Sequence, residues 1–156
     1  MRNTKKATLI TAGLLAVLAS VSAGGTDFKN PDGSRKSGHD PEALTAPSAR
    51  AWAASWTHPN GDLWLFGGKG FDASGNSGML NDLWKWDGLS WTLARGGDQV
   101  NQAGVYGTKG EPDPANIPGS RCYSATWTDS AGNLWLFAGL GYDASGKGAM
   151  LNDLWK

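Results

Sequence analysis

The chain has 156 residues, with 14 basic and 14 acidic side chains and a formal net charge of zero, a length that bounds it at about one domain. The balanced charge leaves no basic stripe for phosphate contacts, which excludes nucleic acid as an expected partner. Nine Trp and 23 Gly point instead to large buried rings on many short strands joined by tight turns, an all-β chain.

The first 23 residues read as a leader. Arg2, Lys5 and Lys6 give a positive start, residues 7–21 are almost unbroken apolar or small, and Val21-Ser22-Ala23 offers the small side chains of a cleavage site. The apolar run of about 15 residues falls short of the roughly 20 that span a bilayer, so a signal peptide cleaved after Ala23 is expected, not an anchor. The residue directly after Ala23 is Gly24 and not Cys, which argues against a lipid anchor. The expected address is secreted or periplasmic, with no membrane span after signal removal. Residues 24–46, with Pro31, Pro41 and several Gly and Ser, read as a flexible linker. Asp27, His39 and Asp40 within it lack the spacing of metal ligands.

A repeat organises the rest. Residues 47–85 align without a gap on residues 118–156, about 71 positions on, with about 23 of about 39 residues identical. Gly61-Asp62-Leu63-Trp64-Leu65-Phe66-Gly67-Gly68 returns as Gly132-Asn133-Leu134-Trp135-Leu136-Phe137-Ala138-Gly139, and Met79-Leu80-Asn81-Asp82-Leu83-Trp84-Lys85 returns whole as residues 150–156. The first copy predicts a strand over 51–57, a type I′ hairpin at Asn60-Gly61 and a return strand over 62–66 ended by Gly67-Gly68. A polar loop over 69–78, a third strand over 80–86, a hairpin at Asp87-Gly88 and a fourth strand over 90–94 follow. Leu63 and Leu65 fall on one face, Trp64 and Phe66 on the other. One unit is thus a four-stranded antiparallel meander, apolar on both faces, that must stack on copies of itself.

The order of a strand, an apolar strand ending in a glycine pair, an Asn-Asp-Leu-Trp strand and a further Trp91, with six residues between it and Trp84, resembles the kelch repeat. Arg50 matches an arginine often found where that repeat begins. The resemblance implies β-propeller blades: blade 1 over 47–95, a long inter-blade loop over 96–117, and a second, incomplete blade over 118–156. Ala138 departs from the glycine pair, which puts a positive φ there in doubt because alanine resists it. The second copy stops within its third strand. The expectation is a piece of a longer protein, with a ring assembled from several chains or a decaying relic as the alternatives. An unpaired strand edge and an uncovered apolar face make self-association a further expectation.

Chain direction alternates through a meander, so the loops after strands two and four leave at the same end. That end, bearing the longer and more aromatic loops, is the expected ligand site. Its candidate residues are Lys69, Phe71, Asp72, Tyr106, Lys109, Tyr142 and Asp143; for the two aspartates, turn formation is the competing role. The resemblance extends to galactose oxidase and to sialic-acid mutarotase, both propeller enzymes. Copper chemistry of the oxidase kind would need histidines beyond His39 and His58, and neighbours Cys122 and Tyr123 point to opposite faces of a strand. Cys122 stands alone, so no intramolecular disulfide forms. No catalytic residue, metal or cofactor is expected. The resulting expectation is a non-catalytic module binding a protein or a glycan; the alternative is part of an oxidase- or mutarotase-like enzyme whose active residues lie elsewhere.

Overall fold

The computed structural model describes residues 46–97 and 99–156; the expected leader and nearly all of the expected linker lie outside the described residues. The described chain is all-β and falls into two antiparallel sheets. The first holds β1 (Arg50–Ala51), β2 (Ala54–Thr57), β3 (Leu63–Phe71), β4 (Ser77–Trp86) and β5 (Trp91–Arg95). The second holds β6 (Arg121–Cys122), β7 (Ala125–Thr128), β8 (Leu134–Tyr142) and β9 (Gly148–Trp155). In each sheet two short strands share one partner: β1 and β2 pair with β3, and β6 and β7 pair with β8. β4 and β5 extend the first sheet and β9 the second.

The expected strand over 51–57 is two strands. Trp52 sits at φ 58 and breaks it, as Tyr123 at φ 61 does in the second unit. The two rings released from the ladder stack on each other with centroids 4.9 Å apart, and the Tyr123 N–H donates to the Trp52 carbonyl at 3.1 Å. The contact between the units thereby supports two conformations that bulky residues otherwise avoid.

The turn at Asn60-Gly61 is not type I′. That type needs positive φ at both central residues, and only Gly61, at φ 95, has it. The His58 N–H donates to the Asp62 carbonyl and the Gly61 N–H to the His58 carbonyl, both at 2.9 Å. Pro59 holds φ negative, so the chain makes a three-residue loop with glycine in the left-handed position. The same double bond pattern closes 72–76, 129–133 and 143–147.

This corrects the expected long loop over 69–78. Gly67-Gly68 does not end the strand; β3 runs through it to Phe71, with a bulge between Phe66 and Gly68, and only a tight turn separates it from β4. Glycine reads as punctuation in a sequence, but here it supplies a positive φ inside a strand, 61° at Gly67 and 93° at Gly68. Ala138 is a second correction. It adopts φ 59 despite its Cβ, because the side chains of Arg121 at 3.2 Å and Ser124 at 2.9 Å both donate to its carbonyl. At Gly67 a Cβ would also come within 2.7 Å of the Arg121 carbonyl oxygen and 2.8 Å of the Leu80 oxygen. Gly67→Ala is therefore expected to cost more than about 2 kcal/mol, and Ala138→Gly to gain about 1 kcal/mol, by urea unfolding.

The core lies between the sheets. Ala54, Trp56 and Phe66, backed by Trp64 and Leu83, pack against Leu134, Leu136 and Trp155. The Trp56 indole N–H donates to the Trp135 carbonyl at 2.8 Å, and the hydroxyls of Thr126 and Thr128 donate to the carbonyls of Ser55 and Thr57 at 3.1 and 3.3 Å. The contributing faces differ. Leu134, Leu136 and Trp155 are the repeat counterparts of Leu63, Leu65 and Trp84, which occupy the opposite face of the first sheet. The units thus stack head to tail, a heterologous contact. The face of the second sheet that corresponds to the buried face of the first is open: Trp127 is 44% and Phe137 42% exposed, against 8% for Trp56 and 4% for Phe66.

Candidate functional site

Each unit is pinned by a buried ion pair that local sequence patterns did not single out. Arg50 lays both Nη atoms on Asp82, at 2.5 and 2.8 Å, and donates to the Gly67 carbonyl at 3.1 Å and the Ser48 carbonyl at 3.0 Å. The Trp84 indole donates to the same carboxylate at 2.6 Å. Arg121 repeats this on Asp153 at 2.6 and 2.7 Å, on Ala138 at 3.2 Å and on Gly119 at 3.0 Å, with the Trp155 indole at 2.7 Å. A planar guanidinium suits this bidentate task. The signal was present: an Arg and an Asp separated by 32 positions stand in both copies.

The connection from 96 to 119 runs from β5 to the second sheet and is tied down. Val105 and Ile117 exchange backbone bonds at 2.8 and 3.0 Å, the Ser120 N–H donates to the Gln102 carbonyl at 2.9 Å, and the Gly104 N–H donates to the Asp143 carbonyl at 3.2 Å. This course brings Tyr106 against the second ion pair. Its hydroxyl donates to Asp153 and its ring lies 5.0 Å from that of Trp155.

These contacts set the local acidity. Burial and the bond to Asp153 push the Tyr106 phenol up to about 12. Burial raises the Asp153 carboxyl, but hydrogen bonds from Arg121, Tyr106 and Trp155 outweigh it and bring it to about 2. A carboxyl whose folded value lies below its unfolded value of about 3.9 contributes stability above that value and loses it as pH falls toward 2. The expected result is a urea midpoint that drops between about pH 4 and pH 2, with Asp153→Asn flattening that part of the profile.

Two of the seven sequence candidates meet. Tyr106 and Asp143 line an open cleft of about 380 Å³, with Ser145, Leu151, Asn152 and Asp153. Lys69, Phe71 and Asp72 belong to the first unit, Lys109 lies in a turn of the connection, and Tyr142 lies on β8; none of the five lines the cleft. Asp72 and Asp143 both form turns. Asp72 accepts the N–H of Ser74 at 2.9 Å and of Asn76 at 2.8 Å, and Asp143 that of Ser145 at 2.8 Å and of Lys147 at 3.0 Å. The Ser145 hydroxyl, first among these bonds, holds the Asp143 carboxyl below its usual range. Among the described residues no group of three or more His, Cys, Asp or Glu side chains could hold a metal ion, and no helix is long and apolar enough to cross a membrane.

In the cleft the Tyr106 hydroxyl is engaged by Asp153 and the Asp143 carboxylate is held within its own turn. No protein-family model matches the chain, and no curated protein matches it.

Proposed function

We propose that this chain is an exported kelch-type module whose two units are propeller blades, and that it binds a protein or a glycan through the end of the sheets where 72–76, 96–119 and 143–147 emerge, without catalysing a reaction. The single observation that carries the reading is the head-to-tail stacking of two equivalent meanders. It is the packing expected of blades set around an axis, and it gathers their connections at one end. The other support is the convergence of Tyr106 and Asp143 on the cleft at that end.

The test is binding of the protein to a glycan array and to immobilised envelope proteins, with variants at both ends. Tyr106→Ala should weaken the captured ligand by at least about tenfold, equivalent to 1.4 kcal/mol. Leu89→Ser, on the hairpin at the opposite end and 89% exposed, should leave binding unchanged. Equal binding by both variants, or no ligand on either surface, would overturn the reading.

A further inference from the structure

The hairpin between β2 and β3 carries the one asparagine of the sequence that is followed by glycine, Asn60-Gly61. Both residues are exposed, and nothing lies within 4 Å of the place where a Cβ on Gly61 would stand. The Asn60 side chain is nevertheless held. Its Oδ1 accepts the Asp62 N–H at 3.0 Å, and its Nδ2 donates to Asp62 Oδ2 at 2.8 Å. These bonds fix which end of the amide is the oxygen. The Asp62 carboxyl is kept below its usual range by the Lys85 hydrogen bond first and by Asn60 next, so it accepts here and does not donate.

His58 completes the arrangement. Its Nδ1 lies 2.6 Å from Asn60 Oδ1. An amide oxygen has no proton to give, so at this distance the proton sits on Nδ1 and the imidazole donates. The longer contact from the Asn60 N–H to the same nitrogen, at 3.3 Å, yields to that tautomer. The second unit backs the ring, whose Nε2 lies 3.0 Å from where a Cβ on Gly132 would stand. The Asn60 carbonyl is thus polarised by donors from both sides, next to a glycine amide that nothing shields.

From this we infer that Asn60 is a site of spontaneous deamidation whose rate His58 sets. The Gly61 N–H leaves its bond to the His58 carbonyl, and the nitrogen attacks Asn60 Cγ. The new C–N bond pushes charge onto Oδ1, where the His58 and Asp62 N–H groups stabilise it. Collapse expels Nδ2 as ammonia, and the Gly61 proton, relayed by solvent, leaves with it. Water then opens the cyclic imide. Breaking the Cγ–N bond leaves aspartate at position 60; breaking the bond to the backbone carbonyl carbon leaves isoaspartate. Either product sets a carboxylate against Asp62 where an amide had donated, and isoaspartate also lengthens the backbone of the loop that fixes the β2–β3 register. The second unit is spared. Its equivalent turn closes with the same backbone bonds, but Ala131 stands for Asn60 and Asp129 for His58. Asp87-Gly88 is spared as well, since the Ser90 and Leu89 N–H groups keep its carboxyl ionised and an ionised carboxylate resists attack by nitrogen.

The test incubates the full chain at neutral pH for weeks, beside a sample unfolded in urea, and reads the digested peptides by mass spectrometry. The expected result is amide-to-acid conversion at Asn60 in both samples, ahead of every other asparagine in the native one, with aspartate and isoaspartate both present. His58→Ala should slow the native conversion by at least about threefold and leave the rate in urea unchanged; the factor is smaller than that of a buried oxyanion donor because water reaches this turn. Asn60 intact in the native sample while it converts in urea would show that the turn protects it, and overturns the assignment. So does an equal or faster native rate in His58→Ala, which would mean that the ring only braces the turn.

Discussion

Arg50→Ala is expected to destabilise the protein by about 3–5 kcal/mol, because it strips the partner from a buried carboxylate. The side chains of Arg50 and Asp82 are only 5% and 6% exposed, so water cannot replace the guanidinium. The loss extends beyond the pair. The Gly67 carbonyl at the bulge and the Ser48 carbonyl before β1 each lose a donor, and with them the tie between the start of the unit and its second strand. Arg50→Lys should cost less, since it keeps the charge but not the fork that grips both carboxylate oxygens. Pairing Arg50→Met with Asp82→Leu should recover part of the loss by removing both charges, although the Trp84 indole then lacks its acceptor. The check is urea unfolding at neutral pH with the slope unchanged. In the second unit Asp153 is 16% exposed and keeps its bond from Tyr106, so Arg121→Ala should cost less than Arg50→Ala. The reverse order would contradict the account of these pairs.

A second large effect separates two residues that the repeat makes equivalent. Phe66 is 4% exposed within the core between the sheets, and Phe137 is 42% exposed on the open face. Phe66→Ala opens a cavity and should cost about 3–5 kcal/mol. Phe137→Ala should change stability by no more than about 1 kcal/mol and reduce association between copies, since it shrinks an apolar patch that also includes Trp127 and Leu154. Matched urea titrations and sedimentation runs read both outcomes. Similar losses at the two positions would mean that the sheets do not stack through these faces.

Much of the fold was legible because strand sequences carry their own periodicity. The alternation of Leu63, Trp64, Leu65 and Phe66 placed each residue on its correct face, and Asp87-Gly88 marked a true hairpin, with the Leu89 and Ser90 N–H groups donating to the Asp87 carboxylate at 2.8 and 2.9 Å. The misreadings share a cause. Gly67-Gly68 carries a bulge inside β3, but a glycine that bends a strand and a glycine that ends one look alike in sequence. Trp52, Tyr123 and Ala138 hold positive φ through contacts from elsewhere in the fold, which no local propensity records. The Arg–Asp pairs span 32 positions, a separation set by the turns between strands.

The site was legible in part for the same reason. Asp72 and Asp143 were marked as turn formers by residue type alone. The meeting of Tyr106 with Asp143 and Asp153 depends on the course of the 96–119 connection, which crosses from one unit to the other. Local patterns end where that crossing begins.

Hydrogen exchange at the tryptophan indoles tests the stacking of the units most directly. The Trp56 indole N–H donates across the interface to Trp135, whereas its repeat counterpart Trp127 lies on the open face. Stacking predicts slow exchange at Trp56 and fast exchange at Trp127 in the same sample. Equally fast exchange at both indoles would contradict it.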